Sequence, residues 1–95
     1  MLKGKLLFEW DDAKEEQNFA KHNVSFEEAK RAFDDPNRFL MRDTKHSQTE
    51  QRYYCFGKVQ GDVMTVRFTL RNNKVRIIGA AYWRDGRKVY EKENR

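Results

Sequence analysis

The stretch Asp62-Val63-Met64-Thr65-Val66-Arg67-Phe68-Thr69-Leu70-Arg71-Asn72-Asn73-Lys74-Val75-Arg76-Ile77-Ile78 decides the fold. Apolar and polar residues alternate on both sides of Asn72-Asn73, which is the period of a strand with one buried face. Asn-Asn is a plausible two-residue hairpin turn, since asparagine tolerates the left-handed conformation such turns require. That turn pairs Arg71 with Lys74, Leu70 with Val75, Phe68 with Ile77 and Val66 with Gly79. Met64, Val66, Phe68, Leu70, Val75 and Ile77 then share the core face. Thr65, Arg67, Thr69 and Arg76 share the other, with the two arginines diagonal across the ladder.

Upstream, Gln51–Lys58 reads as a further strand, joined to this hairpin through a turn centred on Gly61. If it sets Tyr54 opposite Arg67, then Arg52, Tyr54 and Phe56 extend the arginine face. A one-residue slip turns Tyr53 and Cys55 outward instead. Residues 38–42 give a short strand before the polar loop Asp43–Glu50, and Lys5–Trp10 gives the first strand. Two helices lie between these strands. One begins with an Asp12/Glu15 capping pattern and runs to about His22, where Asn23 ends it. The other opens at the capping box Ser25-Phe26-Glu27-Glu28 and carries the stripe Phe26, Ala29, Phe33 until Asp35-Pro36 stops it. A charged helix over about Gly86–Glu93 closes the chain and reads as a solvated face. The order β-α-α-β-β-β-β-α predicts an α+β fold: an antiparallel sheet with helices mainly on one face.

Ninety-five residues suit one domain spanning 1–95. Only 38% of the chain is hydrophobic, with a mean hydropathy of −1.06, but the 14% aromatic share supplies large core side chains. Cys55 stands alone, so it reads as a buried hydrophobe, and neither disulfides nor cysteine-based metal spacing is expected. No membrane-spanning stretch or signal-peptide pattern is present, and a cytoplasmic setting is expected.

The net charge of +5 is uneven. Residues 1–50 sum to −2 and residues 51–95 to +7. A basic half on a small domain is the footprint of a polyanion binder, and an acidic protein partner satisfies it equally. Arg67 and Arg76 repel each other unless an anion joins them, and guanidinium forks match phosphate. The alternative is that they pair with carboxylates of the acidic half. Aromatic rings beside such cations are platforms on which single-stranded bases stack.

Only His22 and His46 are available as imidazoles for proton transfer in phosphodiester cleavage. His22 sits beside Lys21 at a helix end, where it serves either as a cap or as a proton carrier. His46 lies in the polar loop. Two histidines without a further His/Cys cluster argue against zinc.

Several motifs together are similar to one family. Phe8-Glu9-Trp10-Asp11, Lys14, Asn18 and Lys21-His22-Asn23-Val24-Ser25-Phe26-Glu27-Glu28-Ala29 resemble the opening of BrnT-type toxins. The likeness continues through Phe33-Asp34-Asp35-Pro36, Asp43-x-x-His46-Ser47, Glu50-x-Arg52-Tyr53, Gly57 and Val75-Arg76-Ile77-Ile78. The resemblance implies a compact RelE-like ribonuclease fold and the toxin role in a type II toxin–antitoxin pair. It implies a metal-independent ribonuclease without cofactor that arrests growth by cutting cellular RNA. A ribbon-helix-helix antitoxin of the BrnA kind would restrain it, operator DNA being bound only through that complex, which admits a toxin homodimer. Trp10, Lys21, His22, His46, Arg52 and Arg76 fall on matching positions. Where many relatives read Ile-Ile-Ser-Ala-Arg, this chain reads Ile77-Ile78-Gly79-Ala80-Ala81. The family arginine thus falls on Ala81, with Arg67 and Arg84 as the cations that could replace it.

The expected chemistry is attack of a ribose 2′-OH on the adjacent phosphate. His22 or His46 would transfer protons, Arg67 and Arg76 would stabilise charge, and Lys21 with Arg52 would position phosphate. Trp10, Tyr54 and Arg84 complete the expected RNA-binding set. The alternative is a non-catalytic module that holds RNA or antitoxin on the same surface. Direct DNA recognition is disfavoured by the absence of a recognition helix.

Overall fold

Asn72 and Asn73 adopt φ of 51° and 63°, the left-handed pair that a type I′ hairpin turn requires, in the computed structural model, which describes residues 4–46 and 48–95. The elements run β1 (Phe8–Glu9), α1 (Asp12–His22), α2 (Phe26–Ala29), β2 (Phe39–Arg42), β3 (Arg52–Val59), β4 (Asp62–Arg71), β5 (Lys74–Ala81) and α3 (Arg84–Glu93). This is the α+β order expected from the sequence. A 3-10 helix, Lys30–Asp34, continues α2, and another, Thr44–His46, lies in the polar loop. Ser47, part of the family-like motif, lies outside the described residues.

The five strands are ordered β1-β5-β4-β3-β2. β2 to β5 are antiparallel, while β1 lies parallel to β5 through Phe8↔Val75 and Glu9↔Arg76, so the sheet is mixed. A parallel neighbour needs a long crossover, which the rest of the chain between β1 and β5 supplies. Where β1 ends, α1 takes over the β5 edge. The Asn18 side chain donates to the Ala80 carbonyl at 2.9 Å and accepts from its amide at 3.1 Å, standing in for a strand.

One expected pairing is displaced. Arg71↔Lys74, Leu70↔Val75 and Phe68↔Ile77 hold, but the register then shifts, giving Arg67↔Gly79 and Val66↔Ala80. Ile78 is the extra residue of a β-bulge, and the bulge moves Gly79 from the core face to the arginine face. Ala80 replaces it in the core, fully buried beside Val66.

The helix caps also differ in detail. Asp11, not Asp12, caps α1 by accepting from the Ala13 amide, and Glu15 accepts from the Phe26 amide at 2.9 Å. Glu15 therefore ties α1 to α2 rather than closing its own helix. Ser25 caps α2 as expected, accepting from the Glu28 amide at 3.0 Å.

Phe26, Ala29, Ala32 and Phe33 pack on Cys55, Met64, Val66, Phe68, Val75 and Ile77, forming the main core. The helices are not confined to this side. α3 lies on the opposite face over Phe56 and Val63, with Tyr90 buried and its hydroxyl donating to Asp35 at 2.6 Å. The last helix is thus amphipathic, not solvated all round. Gly86 permits the contact, since a Cβ there would overlap Thr65 Oγ1. Among the described residues no helix is long and apolar enough to cross a membrane.

Candidate functional site

Tyr54 stands opposite Arg67, so Arg52, Tyr54 and Phe56 do extend the arginine face of the sheet. α3 covers its Phe56/Thr65 end, and the opposite end holds an ion network. Arg71 donates to both oxygens of Glu50 at 3.0 and 3.1 Å. This bond, with the charges of Arg71, Arg52 and Arg76, outweighs slight burial and holds the Glu50 carboxyl below its usual range. Arg76 donates to Glu9 at 3.0 Å, a carboxylate from the acidic half that β1 brings alongside. The anion joining Arg67 to Arg76 is therefore not required: Arg76 is already paired.

Arg67 is different. Among the described residues no carboxylate lies within ion-pair distance of it, and its buried Nε has no hydrogen-bond partner. The guanidinium lies over Gly79, where a Cβ would come within 2.8 Å of Nη2. It also sits 6.0 Å from the ring centre of Trp83. The bulge makes this arrangement, since it puts a residue without a side chain opposite Arg67.

His22 approaches the same point from the end of α1. Asn23 takes φ 57° and ends the helix by donating to the Phe19 carbonyl, so the chain turns while the imidazole meets Trp83 edge-on at 5.5 Å. Lys14, Lys21, His22, Arg52 and Arg67 line one cleft of about 660 Å³. A cleft lined, among the described residues, with four Lys or Arg side chains and no Asp or Glu concentrates anions.

His46 belongs to the other edge of the sheet, after β2. Its Nδ1 is 2.9 Å from Asp43 Oδ2, and Asp43, 5% exposed, also accepts from the Lys45 and His46 amides. Burial opposes ionisation of Asp43, but hydrogen bonds and charge from His46, with a bond from Tyr54, outweigh it and keep the carboxyl below its usual range. Burial, then the charge and hydrogen bond of Asp43, push the Tyr54 phenol up, against the opposing effect of Arg67. An imidazole held at Nδ1 presents Nε2 in a set direction. The edges that His22 and His46 flank, β5 and β2, are three strand spacings apart, roughly 14 Å. Arg67 on β4 and Tyr54 on β3 lie between them.

Of the expected site residues, Lys21, His22, Arg52 and Arg67 share the cleft, while Tyr54 and His46 join through Asp43 on its flank. Trp10 packs edge-on against Phe26 at 6.0 Å, beside the core. Arg84 lines a smaller depression of about 170 Å³ with Arg87. Asp43 and Trp83 were not singled out from sequence. The Asp43-x-x-His46 spacing held the first signal; Trp83, at a strand end, carried none. Among the described residues no three His, Cys, Asp or Glu side chains are grouped as a metal site would need.

The family described as ribonuclease toxin, BrnT, of type II toxin–antitoxin system matches residues 10–86. No curated protein matches the chain.

Proposed function

Since the chain belongs to the BrnT family of ribonuclease toxins of type II toxin–antitoxin systems, we propose that it is a metal-independent endoribonuclease cutting single-stranded RNA at Arg67. The observation that carries this reading is a buried-stemmed arginine without a carboxylate partner, beside an imidazole in a cationic cleft. An RNA phosphate is the anion it lacks.

Attack of the 2′-OH on the neighbouring phosphorus needs a base, a cation for the charge gathering on the phosphoryl oxygens, and an acid for the leaving 5′ oxygen. Arg67 supplies the cation. Its fork can hold two phosphoryl oxygens. His22, lining the same cleft, exchanges a proton with the reacting oxygens. His46, oriented by Asp43, is the second proton carrier from the β2 side. Lys14, Lys21 and Arg52 position the flanking backbone, and Arg76, engaged with Glu9, has a supporting part only.

The family arginine absent at Ala81 is replaced, on this reading, by Arg67. Gly79 and Ala81 both fall on the arginine face after the bulge, so the small pair leaves room for a guanidinium arriving from β4. Arg84 has no comparable seat. Growth arrest, cytoplasmic action and operator binding only through the antitoxin complex follow from the same reading. A type II toxin has a protein antitoxin; we assign this one a ribbon-helix-helix protein.

The small residues at 79 and 81 also favour the alternative, a binding module that has lost its cutting arginine. Purified chain incubated with RNA and excess chelator separates the two. Chelator-resistant cleavage abolished by Arg67→Ala supports the enzyme, and binding without cleavage supports the module.

A further inference from the structure

α3 leans across the arginine face and leaves a second cleft, about 400 Å³, between itself and the β2–β3 side of the sheet. That volume is in the roughly 300–1,000 Å³ range of small-ligand sites. Met41, Tyr54, Phe56, Trp83 and Val89 wall it, and Met41 and Trp83 are left 38% and 36% exposed. Thr65 also lines it. That residue is 2% exposed, and its Oγ1 is buried without a hydrogen-bond partner. Asp85 adds one carboxylate to the lining. Trp83 links this cleft to the cationic one, because its ring also meets His22 and Arg67, which line the latter.

We propose that this cleft holds the nucleobase of the nucleotide next to the phosphate on Arg67, stacked on Trp83. The Asp85 carboxylate is its polar contact. The inference rests on the ribonuclease reading and adds the subsite to it. A base is a flat apolar body with a polar edge, which matches aromatic walls interrupted by one carboxylate. An anion at Asp85 repels phosphate, so the ribose–phosphate backbone belongs on the Arg67 side and the base on the Asp85 side. A carboxylate only accepts, so it selects a base edge rich in N–H donors. Guanine, with N1–H beside the N2 amino group, is favoured over uracil.

The test uses the full chain and an oligonucleotide of 2′-O-methyl RNA containing guanine, which cannot be cut by 2′-OH attack, with a matched abasic strand. Wild type is expected to bind the guanine strand more tightly than the abasic one. Trp83→Ala should weaken the guanine strand by roughly 5- to 150-fold more than the abasic strand, the range of base–aromatic stacking. Val89→Phe, which fills the cleft with an apolar group, should act likewise if Trp83→Ala proves unstable by circular dichroism. Asp85→Asn should reduce the guanine-over-uracil ratio. Equal affinity of wild type for guanine and abasic strands overturns the proposal, as does wild-type binding by both Trp83→Ala and Val89→Phe; a cleft that receives an antitoxin side chain would give that result. The two readings fail separately. Trp83-dependent binding without any RNA cleavage removes the ribonuclease and leaves the cleft. Cleavage by wild type with indifferent Trp83 and Val89 variants removes the cleft alone.

Discussion

In an Arg67→Ala variant the guanidinium over Gly79 disappears while the apolar face beneath β4 is untouched. Its stability cost is small. Arg67 Nε makes no hydrogen bond that could be lost, and the contact given up is the approach to Trp83 at 6.0 Å, about 0.5–1 kcal/mol for a cation over an aromatic ring. For a domain of this size that is a fall in Tm of at most about 8 °C. The catalytic cost is larger, because a preorganised donor aimed at developing charge is worth about 10²–10³ in rate, or about 2.7–4 kcal/mol. Arg76→Ala is the internal control. It breaks one partly exposed pair with Glu9, worth about 0.2–1 kcal/mol, and leaves cleavage near wild type. Single-turnover cleavage of end-labelled RNA, with melting followed by circular dichroism, reads both quantities. Equal loss of cleavage in the two variants would refute the reasoning, since it would mean that the carboxylate partner does not distinguish them. So would full activity of Arg67→Ala.

Other perturbations follow from the same geometry. Gly79→Ala places a Cβ 2.8 Å from Arg67 Nη2, so the side chain must move; cleavage should drop while melting changes little, and unchanged kinetics would dismiss the Gly79 seat. Asp35 is held below its usual 3.8, because bonds from Tyr90, Lys58 and Asn37 outweigh the opposing burial. A carboxyl lowered in the folded state contributes fully above about pH 3.8 and loses that contribution as the pH falls further. Asp35→Asn should therefore be less stable than wild type at pH 6 in urea titrations, with the gap narrowing below pH 3.8. Cys55 is fully buried, and its thiol is pushed up to about 12 by burial, so a thiol reagent at pH 8 should label it only after denaturation.

The sequence by itself determined the hairpin, the two faces of β4 and β5 and most element limits, because alternation and turn chemistry are local. Asn72-Asn73 needs only its own φ angles to set the register of the residues beside it. The pattern of Lys21-His22 and Asp43-x-x-His46 likewise named both histidines before their surroundings were visible. Tertiary structure decided what local rules cannot reach. The bulge at Ile78 is a property of how β4 and β5 pair, and it turns Gly79 toward Arg67. β1 joins β5 across some 66 residues of chain and thereby hands Glu9 to Arg76, dividing two arginines that look equivalent along the strand. α3 crosses to the far face because Gly86 and Tyr90 bury there, which no charge count over Arg84–Glu93 reveals. That Arg76 has a carboxylate partner while Arg67, among the described residues, has none is set by contacts between distant segments, and on that difference the proposed chemistry depends.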